Sequence, residues 1–330
     1  MRAYGRRGWA ALAAGVLAAV TACSASGAPR PTGAATMSAT PTPTPTTAPG
    51  VSLSEAANAF SEYILTDDLL RAAGSRRLVR AITRDGRLDL ANAEYASTHD
   101  RPARYAWGTP SFLVPRLRAE ELLWFTAVVP RDGRTAVLTF VKGTDWRLSS
   151  LSLLLPGQKL PEVKRDAAGY AETVGLDDKS VQISPRYVAP LHATIAERGP
   201  AAMGANLVAP GAYTTETAAT IAVNRTAART DGFRYDSIFT PADYPVYALR
   251  TVDGGALVQY SLLRTTSMTN VVFVNPFLPI PPTGRWALAR DAYSQTMKIY
   301  ETQQYIAALP AAAAATVIGY DGAITKASGT

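Results

Sequence analysis

Two histidines and several carboxylates are the side chains of this 330-residue chain best suited to acid–base chemistry. His99 precedes a proline-containing loop and His192 lies in a helical stretch; an imidazole with a pKa of about 6.5 can act as a general base. Sequence neighbours on a helix or strand point in different directions, so adjacent acids predict solvated charges rather than a converging pair. Three such pairs occur: Asp67-Asp68, Glu120-Glu121 and Asp177-Asp178. We predict no catalytic residues, and an envelope glycan or peptide hydrolase using His99 or distant converging carboxylates is the less favoured alternative.

Metal and cofactor chemistry finds no motif in this sequence. One cysteine and two histidines offer few ligands for zinc, and neither a His-Glu-x-x-His helix nor a phosphate-binding glycine-rich loop is present. We therefore predict no metal and no cofactor. The formal charge of +7 does not by itself indicate a binding site. Its densest cluster is predicted to be a solvated surface, which argues against a nucleic-acid partner; the cluster comprises Arg76, Arg77, Arg80, Arg84 and Arg87.

The single cysteine, Cys23, lies where lipid attachment requires it. A basic start precedes the apolar run Trp9–Val20, which is shorter than the roughly 20 residues of a bilayer-spanning helix and is typical of a signal peptide. The run ends in Val20-Thr21-Ala22-Cys23, which resembles the lipobox of bacterial lipoproteins. We expect cleavage after residue 22 and lipidation of Cys23 by diacylglycerol and a fatty acid such as palmitate. Residues 23–50, rich in Pro and Thr, predict an extended tether.

The first folded unit is predicted over residues 51–155. Ser52-Leu-Ser-Glu55 has the spacing of a capping box and predicts a helix start. Shorter helices follow, and then four extended segments at about 105–115, 121–130, 134–142 and 146–155. Alternation over 137–142 predicts that one sheet face is strongly buried.

The second unit, over residues 190–325, repeats this plan after a connection at 156–189. Its helices are expected near 187–199 and 212–230. Its strands are expected near 233–239, 245–252, 255–265, 268–275, 296–309 and 314–320, followed by a tail at 326–330. Asn275–Pro282 is too rich in proline to lie inside a sheet. Helices followed by antiparallel strands predict an α+β fold.

Three segments carry a resemblance to a known family: 124–129, 145–148 and, above all, 245–258, which pairs a hairpin turn with strands on both sides. Residues 51–325 resemble an uncharacterised family of actinobacterial lipoproteins classified as a domain of unknown function. The order of elements is similar to the nuclear transport factor 2-like, or cystatin-like, fold. This resemblance implies two tandem cone-like units, each with helices followed by a curved antiparallel sheet, and implies no activity.

The predicted function is that of a non-enzymatic binding or scaffold module, lipid-anchored on the outer face of the cell membrane. Its partners would be the membrane and an envelope protein or ligand whose identity the sequence leaves open. An alternative is a carrier of a small apolar ligand in a cone-shaped pocket. Possible pocket or contact residues are Trp124, Trp146 and, in the proline-rich segment, Phe277.

Overall fold

The computed structural model describes residues 49–118, 120–272 and 275–330. The expected signal peptide, Cys23 and most of the tether lie outside these residues. Within them, no helix has the length and apolar character needed to cross a membrane. The α-helices are α1 (Leu53–Ala73), α2 (Val79–Ile82), α3 (Asp85–Ser97), α4 (Pro185–Arg198) and α5 (Thr215–Thr230). The strands are β1 (Ser111–Leu113), β2 (Trp124–Arg131), β3 (Arg134–Lys142), β4 (Trp146–Leu154), β5 (Phe233–Pro241), β6 (Tyr247–Arg250), β7 (Ala256–Asn270), β8 (Thr296–Leu309) and β9 (Thr316–Gly329).

Helix α1 begins and ends as its sequence predicts. The hydroxyl of Ser52 accepts a hydrogen bond from the Glu55 backbone N–H at 3.0 Å, which satisfies one of the unpaired donors of the first turn. Gly74 ends the helix with φ of 62°, a left-handed conformation that glycine adopts without steric cost. The buried face of α1, which includes Phe60 and Tyr63, packs on Phe140 of β3.

The nine strands of the described residues belong to one antiparallel sheet, with β6 attached to the side of β7. The order is β1-β2-β3-β4-β9-β8-β7-β5, so β9 joins the strands of the first half to those of the second. The α+β class is confirmed, whereas the two tandem cone-like units are not. Residues 47–330 cluster as one compact unit.

Buried amide side chains fasten the two halves of the sheet together. Gln259 of β7 accepts a hydrogen bond from Thr139 at 2.8 Å and donates one to Thr126 at 3.1 Å. Gln304 of β8 accepts from the Leu151 backbone N–H and donates to the Ser149 carbonyl, both at 3.0 Å. Separating the halves would leave these buried groups without partners, which costs about 1–3 kcal/mol for each group.

Several expected boundaries are wrong. Residues 255–265 and 268–275 do not form two strands, because β7 continues without a break through Ser267 and ends at Asn270. The segment 105–115 contributes only the short β1, and residues 326–329 belong to β9 rather than to a tail. The helix α4 begins inside the expected connection, at Pro185.

The expectation of one strongly buried sheet face is also wrong for the first half. On β3, Leu138 and Phe140 contact the helices, while Val137 and Val141 are buried on the opposite face. That opposite face is covered by Leu249 of β6 and by residues of the connection, including Val163 and Ala171. An alternating sequence with apolar side chains in both registers is therefore a strand with two covered faces.

Candidate functional site

A cluster of five buried or half-buried charged residues, which we call the ion cluster, lies where α1, α3 and β9 meet. Its members are Asp67, Arg71, Arg87, Glu94 and Asp321. The helix α1 supplies two of them one turn apart, and α3 supplies two on its buried face, two turns apart. Strand β9 supplies Asp321. The ion cluster therefore depends on residues more than 200 positions apart in the chain.

Glu94 is the centre of the ion cluster. Arg71 donates two hydrogen bonds to its carboxylate, at 2.6 and 3.0 Å, and Arg87 donates a third at 3.3 Å. Burial alone would raise the pKa of Glu94, but the hydrogen bonds from Arg71 and the charge of Arg87 lower it to about 2. The hydroxyl of Tyr105 also donates to this carboxylate. Both oxygens of Glu94 are thus occupied, which suits a structural anion better than a general base.

Arg87 connects the ion cluster to β9. Its Nη1 donates to the Asp321 carboxylate at 2.7 Å. Burial raises the pKa of Asp321, while the charge of Arg87 acts in the opposite direction, and the Asp321 side chain keeps 27% of its surface exposed. In the described part of the chain, Nε of Arg87 has no hydrogen-bond partner. An orphaned buried donor of this kind is uncommon, which makes this end of the ion cluster a functional candidate.

A cavity of about 680 Å³, the polar cavity, opens beside Arg87, Glu94 and Asp321. Arg131 also lines it and lies with its guanidinium carbon 4.3 Å from the centre of the Tyr105 ring. Trp286 contributes an aromatic wall from the 3-10 helix Pro282–Ala287. Positive, negative and aromatic groups therefore face one space.

A second cavity of about 440 Å³, the apolar cavity, adjoins the first and shares Thr283, Glu301 and Ile324 with it. Its other lining side chains are mostly apolar and include Phe233, Tyr235, Met268, Ile280, Met297 and Ile299. The two spaces together form what we call the two-part cleft. Its composition, apolar at one end with a few charged groups at the other, is typical of sites for small organic ligands.

The proline-rich segment forms one wall of the two-part cleft. Leu278 is buried among Phe233, Met297 and Ile299, and its backbone N–H donates to the Tyr293 carbonyl at 2.8 Å. Phe277 is 59% exposed and points away from this core. The prediction that the proline-rich segment lies outside the sheet is confirmed. Within this segment, Leu278 is packed in the core and Phe277 is exposed.

The other predicted pocket residues lie elsewhere. Trp124 is buried at 7% exposure in the core, with its ring centre 5.1 Å from that of Tyr247. Trp146 lines a separate cavity of about 630 Å³ and donates from its indole nitrogen to Glu55 at 3.1 Å. The structure does not bring Trp124, Trp146 and Phe277 together, and their role in binding stays a prediction.

The two histidines do not form a catalytic pair. His99 is exposed, with φ of 54° after the end of α3. His192 is buried, with Nε2 2.7 Å from the Tyr213 carbonyl and Nδ1 2.8 Å from the Tyr260 hydroxyl. A carbonyl only accepts, so Nε2 carries the hydrogen and the neutral ring accepts from Tyr260. Burial lowers the pKa of His192 to about 4, despite its hydrogen bond to Tyr213.

Across residues 49–118, 120–272 and 275–330, no group of three or more His, Cys, Asp or Glu side chains is arranged to hold a metal ion. The carboxylates nearest one another in the ion cluster are separated by arginines, which occupy the positions that a cation would take.

Comparison with known proteins gives a family and no activity. The sequence profile of a family described as a domain of unknown function, DUF8094, matches residues 47–329. An uncharacterized lipoprotein of Streptomyces coelicolor is 26% identical over 94% of this chain and 91% of its own length. An uncharacterized lipoprotein of Streptomyces avermitilis is 27% identical over 77% of this chain and 78% of its own. These matches confirm the resemblance to uncharacterised actinobacterial lipoproteins but not the nuclear transport factor 2-like units, and no solved structure is significantly similar.

Proposed function

Since the chain belongs to the DUF8094 family, whose similar Streptomyces proteins are named lipoproteins, we propose that it is a lipid-anchored binding protein of the cell envelope. The Val20–Cys23 sequence supports the anchor, and export by a signal peptide over residues 1–22 would carry the folded part to the outer face of the cell membrane. Replacement of Cys23 by serine tests the anchor. We expect the variant to leave the membrane fraction in a salt wash, whereas the native protein requires detergent.

The proposed activity is non-enzymatic binding of a small amphipathic molecule in the two-part cleft. The observation that carries this proposal is the adjacency of an apolar cavity of about 440 Å³ to a charged one of about 680 Å³. An apolar body would contact Met268, Met297 and Ile299, and a polar end would lie beside Arg87 and Arg131. This ligand is less uniformly apolar than the cone-bound ligand expected from the sequence.

Mass spectrometry after native purification tests this activity. We expect one class of amphipathic molecule to be recovered in a near-stoichiometric amount. Met268→Trp would place a bulky indole ring in the apolar cavity, and we expect it to reduce recovery of the bound molecule at least tenfold. Val223→Trp is the matched control, because Val223 is 67% exposed on α5. Equal recovery from both variants, or no bound molecule in the native protein, would contradict the proposal.

A hydrolase is a second candidate, favoured by one observation. Asp321 and Glu301 reach the same polar cavity from neighbouring strands, and burial raises the pKa of Asp321, as a general acid requires. Against it, Arg87 holds Asp321 and Arg264 lies 3.5 Å from Glu301, so both carboxylates already have partners. Release of soluble fragments from purified envelope glycan, abolished by Asp321→Asn, would establish the hydrolase instead.

A further inference from the structure

The arginine cluster that the sequence groups together divides into two classes in the structure. Arg87 is buried in the ion cluster, and Arg84 pairs with Asp85 at 2.9 Å. Arg76, Arg77 and Arg80 are exposed, and among the described residues no carboxylate lies within ion-pair distance of them. Three positive charges are therefore available to a partner.

Three exposed leucines accompany these arginines. Leu65 and Leu69 lie one turn apart on α1 and are 67% and 69% exposed, and Leu78 in the following 3-10 helix is 56% exposed. The exposed residues Ala72 and Ala73 connect them along the chain to the arginines. Single exposed leucines are ordinary, but here three exposed leucines and three arginines without ion pairs all belong to residues 65–80, so apolar and positive groups share one short stretch of the chain.

The scaffold beneath this surface is fixed. Leu70 and Val79 are buried together with Ala91 and Tyr95, which holds the end of α1 and the start of α2 against α3. The backbone N–H of Ser75 donates to the Leu70 carbonyl at 2.9 Å and closes the turn between them. The exposed leucines therefore lie outside a core whose inward positions are filled by other side chains.

Acidic groups around this surface are few. Asp68 is held by Arg104 at 2.5 Å, and Asp67 is buried with Arg71. Asp100 lines the hollow of about 1010 Å³ that Arg76 and Arg77 also line. Glu62 is exposed on the same side of α1, nearer its start.

We propose that this surface, which we call the leucine–arginine patch, docks the folded part on the anionic headgroups of a lipid bilayer. Its members are Leu65, Leu69, Arg76, Arg77, Leu78 and Arg80. Arginines near an anionic membrane surface are attracted to it, and apolar side chains enter the boundary between headgroups and acyl chains. A soluble polyanion would engage the arginines alone, so the leucines favour a bilayer.

The chain outside the described residues permits this contact. At about 3 Å per residue, the 28 residues from 23 to 50 would span about 85 Å if fully extended. The helix α1 is about 31 Å long, so its far end comes within reach of a membrane that holds residue 23. Docking would then limit the orientations available to the tethered protein.

Vesicle binding tests the proposal independently of the lipid anchor. The chain from residue 23, carrying Cys23→Ser, is sedimented with vesicles of phosphatidylcholine, with or without about one-third phosphatidylglycerol. We expect binding that requires phosphatidylglycerol and weakens with salt. At about 1 kcal/mol per arginine, the triple variant R76Q/R77Q/R80Q should bind on the order of a hundredfold more weakly.

Two further variants keep the result interpretable. R229Q/R234Q/K298Q removes the same charge from exposed positions on α5, β5 and β8 and should bind as the parent does. L65S/L69S/L78S should weaken vesicle binding at least tenfold, with a circular dichroism spectrum like that of the parent. Equal losses in both charge variants, unchanged binding by the leucine variant, or no phosphatidylglycerol dependence would overturn the proposal. Since all of these proteins carry Cys23→Ser and lack the acyl chains, such a result would not contradict the proposed lipid anchor at Cys23.

Discussion

The buried His192 predicts that the protein loses stability as the pH falls from neutral toward about 5. In the folded state its ring is neutral, with Nε2–H donated to the Tyr213 carbonyl and Nδ1 accepting from Tyr260. Adding a proton at Nδ1 would turn an acceptor into a donor beside a hydroxyl that now donates. It would also place a charge in a fully enclosed position among the rings of Tyr260 and Tyr305.

The magnitude follows from the two pKa values. The pKa of His192 is lowered to about 4 by burial, from 6.5 for the unperturbed side chain. The unfolded chain therefore takes up the proton first, and stability contributed by the neutral ring is lost as the pH falls through 6.5. The loss is about 2 kcal/mol at about pH 5 and reaches about 3 kcal/mol below about pH 4.

Urea unfolding at about pH 7.5 and about pH 5 measures this difference when native protein and His192→Gln are compared. Glutamine supplies a donor and an acceptor but does not titrate, so the variant should lose about 2 kcal/mol less over this range. Other titrating groups contribute equally to both proteins and cancel. His99→Gln is the matched control, because it makes the same replacement at an exposed position. If native protein and His192→Gln show the same pH dependence, His192 is not held neutral by burial.

Two further changes test the packing of the site and of the sheet. Glu94→Gln removes the negative charge that faces the buried Arg71. In urea unfolding at neutral pH, we expect the variant to be less stable than the native protein by about 2–3 kcal/mol. This difference in stability should shrink as the pH falls from 4.5 toward about 2, because the native carboxylate then becomes protonated. Gly255→Ala would place a Cβ in steric conflict with the Leu309 carbonyl oxygen and should lower stability by about 1–3 kcal/mol. Gly143→Ala, with nothing within 4 Å of the added Cβ, should change stability by less than about 0.5 kcal/mol.

Local features of the fold could be predicted because neighbouring residues determine them. The cap at Ser52 and the Asp132-Gly133 hairpin, with φ values of 49° and 77°, are examples. The sequence predicts a break between strands at residues 266–267, yet these residues continue β7 because β5 and β8 pair with it on both sides. Hydrogen bonds from neighbouring strands outweighed the weak strand propensity of serine.

The joining of the two halves could not be predicted from one sequence. The link between β4 and β9 rests on the register pairs Leu153–Tyr320 and Leu154–Gly319, which are far apart in the chain. Periodicity reports which face of a strand is covered and does not identify the neighbouring strand.

Part of the ion cluster could have been predicted from the spacing of charged residues in α3. Arg87 and Glu94 are two turns apart on the buried face of α3, whereas Arg76, Arg77 and Arg80 lie outside that helix. The five arginines are close together in the sequence, but this closeness does not distinguish buried Arg87 from the exposed arginines. The burial of Arg87 also depends on its ion pair with Asp321. Asp321 belongs to a distant strand that no local sequence pattern connects with α3.

The position of β9 sets the order in which the molecule can be completed. It follows every other strand in the chain but lies between β4 and β8. While the polypeptide is being synthesised or threaded through a channel, β4 and β8 therefore present open edges until residues 316–329 emerge. Such edges invite pairing with other chains, so a chaperone that shields them would act during this interval.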